Sequence, residues 1–106
     1  MSYRYMRMII FFDLPTLTSK HLKSYRMFLK NIKKNGFFML QESVYVKMAL
    51  NQQVVDSTMV KIKEFVPDEG SILVLTVTEK QFSSVEILLG NIENDVITSD
   101  ERVVEL

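Results

Sequence analysis

Residues 5–13, YMRMIIFFD, decide the architecture of this chain. Side chains alternate along an extended strand, so Met6, Met8, Ile10 and Phe12 share one face while Ile9 and Phe11 place apolar groups on the other. A strand apolar on both faces has both faces covered. Helices of the same chain can supply one cover. In a chain of 106 residues, which buries a modest core, the other cover is most simply a second copy related by a two-fold axis.

Working outward from this strand, Pro15 stops the ladder, and Thr16, Thr18 and Ser19 each offer a helix N-cap. Residues 19–36, SKHLKSYRMFLKNIKKNG, are strongly periodic. Placed at about 100° per residue, Leu22, Tyr25, Phe28, Leu29 and Ile32 fall in one arc. Lys20, Lys23, Arg26, Lys30, Lys33 and Lys34 fall in the opposite one. Asn35-Gly36 ends the helix with a left-handed stop, and the late lysines suit the negative end of its dipole. Residues 37–48, FFMLQESVYVKM, read as one long strand interrupted midway by Gln41-Glu42-Ser43, where a bulge is expected. Asn51 caps a second helix over 52–65, with Val55, Met59, Ile62 and Val66 as its apolar stripe and Pro67 as its stop. PDEG, residues 67–70, is a turn in which Gly70 can take a positive φ. SILVLTVTE, residues 71–79, is a β-branched buried strand. A short further strand is expected near 85–89 and another within ITSDERVVEL, residues 97–106.

The elements order as β-α-β-β-α-β with extra strand material at the C-terminal end. That is the ferredoxin-like α+β arrangement, a four-stranded antiparallel sheet with both helices on one face, here a single domain over 1–106.

Composition narrows the function classes. No apolar run approaches the roughly 18 residues that cross a bilayer, and the N-terminal apolar run is too short for a signal peptide, so no membrane partner and a cytoplasmic location are expected. The absence of cysteine removes disulfides, thiolate metal sites and cysteine nucleophiles together. The net charge of zero conceals a split. Residues 1–63 hold eleven Lys/Arg against three acids, a net +8, and residues 64–106 hold two against ten, a net −8. Such a split points to a polyanion-facing side and to a second, acidic side that repels polyanions or docks a basic partner. The first helix carries no acid between Lys20 and Lys34, whereas an ordinary surface helix mixes signs in i,i+4 pairs. Its basic arc is therefore the candidate nucleic-acid face.

Four stretches, in order, carry a family resemblance. They are MIIFFDLPT at 8–16, the basic helix end YRMFLKNIKKNG at 25–36, GFFMLQESVYVKM at 36–48, and GSILVLTVTEKQF at 70–82. The pattern Gln-x-Ser-Val-aromatic at Gln41, Ser43, Val44 and Tyr45 is the most specific of them. Together they resemble the CRISPR-associated protein 2 family, the small nuclease-fold subunit of spacer acquisition. The resemblance implies a homodimer in which Asp13 is the metal ligand and catalytic residue, with Mg²⁺ or Mn²⁺ as cofactor. It implies metal-dependent endonuclease activity on RNA or duplex DNA, and a place as the central dimer that a separate integrase subunit clamps while both hold duplex DNA. The alternative is a purely structural DNA-holding scaffold in which Asp13 is dispensable.

Read from residue chemistry alone, Asp13 has two roles open to it, an Asx-turn or cap ahead of Pro15 and a cation ligand. Mg²⁺ takes oxygen donors and often only one or two carboxylates, so a lone Asp13 makes a poor site per chain and two copies make a workable one. Gln41 and Ser43, on the neighbouring strand, are placed to support the site, or else to stabilise a bulge. Tyr45 reads as a packed, half-buried aromatic rather than a catalytic phenol, and His21, the only histidine, as a solvated residue near the basic side of the first helix.

Overall fold

In the computed structural model, which describes residues 5–90, the first strand pairs on both of its edges. Strand β1 (Met6–Asp13) lies between β3 (Val44–Ala49) and β4 (Ser71–Thr78), antiparallel to each, and β2 (Phe38–Gln41) closes the far edge against β3. The sheet order is β2-β3-β1-β4. Helices α1 (Ser19–Lys34) and α2 (Gln52–Lys63) connect β1 to β2 and β3 to β4. This is the ferredoxin-like order expected from sequence, with both strands between the helices supplied by residues 38–49, where the sequence reads a single strand over 37–48.

The strand inventory differs from the sequence reading at two places. Residues 37–48 are not one bulged strand. They form the hairpin β2–β3, reversed at Glu42 and Ser43, with Ser43 at φ 66°. A register irregularity does occur, between Met39 and Gln41. Residues 85–89 form no strand. The chain instead leaves β4 through a short helix α3 (Glu79–Phe82), capped by reciprocal bonds between Thr78 and Gln81, and continues irregularly. The strand expected within 97–106 lies outside the described residues.

Helix α1 ends as its sequence dictates. The Phe37 N–H donates to the Ile32 carbonyl and the Gly36 N–H to the Lys33 carbonyl, each at 3.0 Å, with Gly36 at φ 95°. This pair of bonds is the Schellman closure, and it drops Phe37 into the core beside Ile32. Thr18 is the N-cap that forms, accepting from the His21 N–H at 3.1 Å, and Asn51 accepts from the Val54 N–H at 3.0 Å to start α2. Helix α2 ends at Lys63, two residues short of the predicted end at 65, and Val66 is exposed rather than part of its stripe.

The helix-covered face of the sheet holds the main core: Met8, Ile10 and Phe12 of β1 with Tyr45 and Ala49 of β3, packed on Phe28, Ile32, Val55 and Ile62. Phe12 stacks edge-on against Phe28 at 5.3 Å between ring centroids. The opposite face is covered in part by the chain itself. Phe82 and Val46 anchor a second cluster with Ile9, Leu40, Val77, Val85 and Ile87. Arg7, which the charge count assigns to the polyanion-facing half, lies in this cover and is 3% exposed. Its Nε donates to Glu79 Oε1 at 2.6 Å and its Nη2 to Glu79 Oε2 at 3.1 Å, while the guanidinium stands 4.7 Å from the Phe82 ring centroid. What stays open on this face is its other end, where Phe11, Leu73 and Leu75 are exposed.

Candidate functional site

Asp13 is the last residue of β1 and pairs directly with Ser71, the first residue of β4. Directly paired residues point to the same side of a sheet. For Asp13 and Ser71 that side is the one carrying Ile9 and Phe11, away from both helices. One residue back, the Phe12 N–H donates to the Ser43 carbonyl at 3.1 Å, which pins the β2–β3 turn beside the end of β1. Asp13, Ser43 and Ser71 thus share a shallow depression floored by Phe11, Val44 and Leu73. A left-handed φ is costly for a residue with a Cβ, and Ser43 adopts it at the edge of this depression.

The donors here are one carboxylate and two hydroxyls, an all-oxygen set of the kind that hard cations take. Among the described residues no group of three or more His, Cys, Asp or Glu side chains gathers anywhere. Among the described residues, Asp13 is the one acid that lines this depression. Asp13 is exposed and stands at the rim of the open apolar patch.

The other predicted residues separate from Asp13. Gln41 is exposed at the end of β2 and does not line the depression. Lys20, Lys23, Arg26, Lys30, Lys33 and Lys34 are all exposed on α1, so the arc read from periodicity is a real basic face. It lies on the helix side of the sheet, across from Asp13. Lys20 and Lys23 border a groove of about 400 Å³ floored by Met27, Phe28 and Phe65.

His21 departs from its reading as a solvated residue. Its side chain is 19% exposed, and Nε2 lies 3.0 Å from Glu69 Oε1. A carboxylate oxygen accepts, so Nε2 is the donor of this bond, and Nδ1 is buried with no hydrogen-bond partner among the described residues. Glu69 and Glu79, two of the acids counted toward an acidic docking surface, are thus engaged within the chain. Tyr45 is buried, more deeply than a half-packed aromatic; burial pushes its phenol up, with Tyr25 and Glu42 adding to the effect. Lys47, unremarked in sequence, reaches Asn35 O at 2.9 Å and closes the end of α1; burial pulls its amine down, helped by Lys61.

Two features of this neighbourhood were missed in sequence, Ser71 and the close approach of Gly70 to β1. Only the β1–β4 register reveals them, since nothing local in GSILV marks a partner for Asp13.

With the geometry in place, comparison with known proteins settles the family. The family described as CRISPR associated protein Cas2 matches residues 6–85. The chain belongs to this family. A CRISPR-associated endoribonuclease Cas2 of Treponema denticola is 45% identical over 95% of this chain and all of its own. Proteins of the same name from Ligilactobacillus salivarius and Streptococcus mutans are 42% and 44% identical, each over 95% of this chain and over 100% and 93% of their own lengths. A solved structure, described as a crystal structure of cas2, superposes with a TM-score of 0.60 over 94% of this chain and 99% of its own, at 17% identity. That likeness bears on the fold alone. The match spans β1 to the residues after α3, so the Asp13 strand, the hairpin and the basic helix all fall inside the family region. No helix among the described residues is long and apolar enough to cross a membrane.

Proposed function

We propose that this chain is a CRISPR-associated, metal-dependent endonuclease that works as a homodimer, with RNA as the first substrate to test. The observation that carries the reading is the position of Asp13, exposed at the rim of the open apolar patch with Ser43 and Ser71 beside it. The name of the relatives, endoribonuclease, supports the choice of RNA. Burial of Phe11, Leu73 and Leu75 against a second copy would draw two Asp13 carboxylates together; the pair would hold Mg²⁺ or Mn²⁺, which would supply charge to polarise a phosphate and acidify a bound water. The chain's own part is to hold the carboxylate at the end of a rigid strand, to offer the Ser43 and Ser71 hydroxyls to a phosphate oxygen or water, and to exclude bulk water by the apolar floor.

The test is cleavage of RNA and of duplex DNA with Mg²⁺, wild type beside Asp13→Asn. The expected result is loss of cleavage in Asp13→Asn and in wild type with excess EDTA. Cleavage surviving either treatment overturns the proposal.

A second reading is favoured by a separate observation, the acid-free basic face of α1 on the far side of the sheet from Asp13. Under this reading the homodimer grips duplex DNA through α1 and spans two integrase subunits, and Asp13 is not needed. Spacer acquisition that persists in Asp13→Asn supports this reading, and acquisition lost along with cleavage counts against it.

A further inference from the structure

The end of β1 is not held by its two strand neighbours alone. Gly70 immediately precedes the Ser71 partner of Asp13, at φ 108°. A Cβ added at Gly70 stands 2.8 Å from the Asp13 carbonyl oxygen, 2.7 Å from Leu14 Cδ2 and 3.2 Å from Leu14 Cα. Two of these three atoms belong to backbone, which cannot swing aside as the tip of a long side chain does. A glycine is thus required at this corner on two grounds, a φ that L residues avoid and an approach to the Asp13–Leu14 backbone that only a hydrogen leaves room for. The corner is also fastened from its other side. Glu69, one residue earlier, accepts from His21 Nε2 at 3.0 Å and so ties the corner to the first turn of α1. Leu14, Pro15, Tyr25 and Pro67 line the pocket that His21 and Glu69 also border, so the stretch leaving Asp13 runs beside this exposed bond.

We propose that the corner Glu69-Gly70-Ser71 is the positioning element of the Asp13 carboxylate, seated on the Asp13 backbone by Gly70 and tied to α1 by the His21–Glu69 bond. The inference rests on Asp13 being the working carboxylate, and Glu69, Gly70 and His21 act through it as positioning residues. Geometry is what such a corner controls. A shift of about 1 Å in a reacting group costs up to about a hundredfold in rate while leaving substrate binding largely intact. The link to α1 adds a second property. His21 sits between Lys20 and Lys23, so anything that moves the first turn of the basic helix moves the seat of Asp13 as well.

The experiment uses the full chain, labelled with ¹⁵N and ¹³C, with Gly70→Ala, Glu69→Ala, His21→Ala and His21→Gln beside wild type. The first readout is the backbone resonances of Asp13 and Leu14, recorded without metal or nucleic acid. The second is the split between kcat and KM in RNA cleavage with Mg²⁺. Gly70→Ala is expected to shift the Asp13 and Leu14 resonances and to lower kcat by roughly tenfold or more, with KM within about twofold of wild type. Glu69→Ala and His21→Ala shift the same resonances by less, and His21→Gln, which keeps a donor for Glu69, returns them toward wild type. Should Gly70→Ala not fold, the Glu69 and His21 variants carry the test. Asp13 resonances unmoved in the folded variants, or no recovery in His21→Gln, overturn the proposal. Wild type that cleaves neither substrate removes the endonuclease reading and leaves the resonance readout to decide the corner on its own.

Discussion

Arg7 and Glu79, 72 positions apart in sequence, are joined by two hydrogen bonds beneath α3, and both side chains are 4% exposed. Removing one partner of a buried, hydrogen-bonded charge pair costs about 3–5 kcal/mol, whereas well-packed apolar replacements of both partners are often neutral or stabilising. Arg7→Met and Glu79→Leu are each expected to destabilise strongly, and the double variant to recover most of the loss. Urea denaturation of the three variants checks this; additive losses in the double variant sink it.

Ser43 offers a way to separate conformation from chemistry at the depression. Ser43→Gly relieves the left-handed φ while deleting the hydroxyl, so stability is expected to hold or rise and cleavage to fall. Ser43→Val keeps the strain and adds a β-branch, and is expected to cost about 1–2 kcal/mol. Unfolding curves beside cleavage assays read both effects. Full cleavage in Ser43→Gly removes the hydroxyl from the proposed site.

The open patch makes a prediction about assembly. Leu73 is 63% exposed, so Leu73→Lys is expected to leave the fold within about 0.5 kcal/mol of wild type. Light scattering of wild type is expected at about twice the 12.4 kDa chain, and of Leu73→Lys at the chain mass, with cleavage lost. A dimer unaffected by Leu73→Lys places the interface elsewhere.

Neutralising Lys30, Lys33 and Lys34 together is expected to weaken duplex DNA binding and to flatten its salt dependence, by about 0.9 in slope for each phosphate the helix no longer neutralises. Because these residues and Asp13 occupy opposite faces of the sheet, kcat for a short RNA is expected to stay near wild type. Binding that keeps its salt slope shows that the helix face is not the nucleic-acid surface.

Alkaline pH acts on two groups, the buried Tyr45 and the partly buried Lys47, with opposite signs. The Lys47 amine titrates below 10.5 in the folded chain because burial disfavours its charge. Between that lowered value and 10.5 the unfolded chain binds more protons, so stability rises with pH. The Tyr45 phenol titrates above 10.0 when folded, so from 10.0 upward the unfolded chain loses its proton first and stability falls. Denaturation midpoints followed through this range are expected to lose the rise in Lys47→Met and the fall in Tyr45→Phe.

Most of this fold was legible wherever local chemistry and burial agree. The two-faced β1, the Asn35-Gly36 stop and the Asn51 cap each state their structure in a few residues, and the structure follows them. The β2–β3 reversal was hidden because Glu42-Ser43 is not a turn pair by composition; Ser43 takes a glycine-like φ without being glycine. Residues 85–89 looked strand-like because Val85 and Ile87 are apolar and alternate, yet they pack as an irregular cover on Val46 and Phe82. Arg7 and His21 were misread for one reason. Their partners, Glu79 and Glu69, lie 72 and 48 positions away, and a charge count cannot see a pair closed by topology. At the site, an acid ending an apolar strand drew notice to Asp13, but its reading as a ligand came from the family resemblance, and Ser71 becomes its neighbour only through the β1–β4 register.

The sheet stands as a partition between the basic helix and the acid. A duplex is stiff over about 150 base pairs, so one lying straight along α1 passes behind the partition and cannot also curl round to the acid on the same protomer. A limp single strand can make that turn. Under the two readings proposed above, duplex DNA held on α1 and cleavage at Asp13 therefore belong to opposite faces of one protomer, and a flexible single strand is the substrate this layout favours at Asp13.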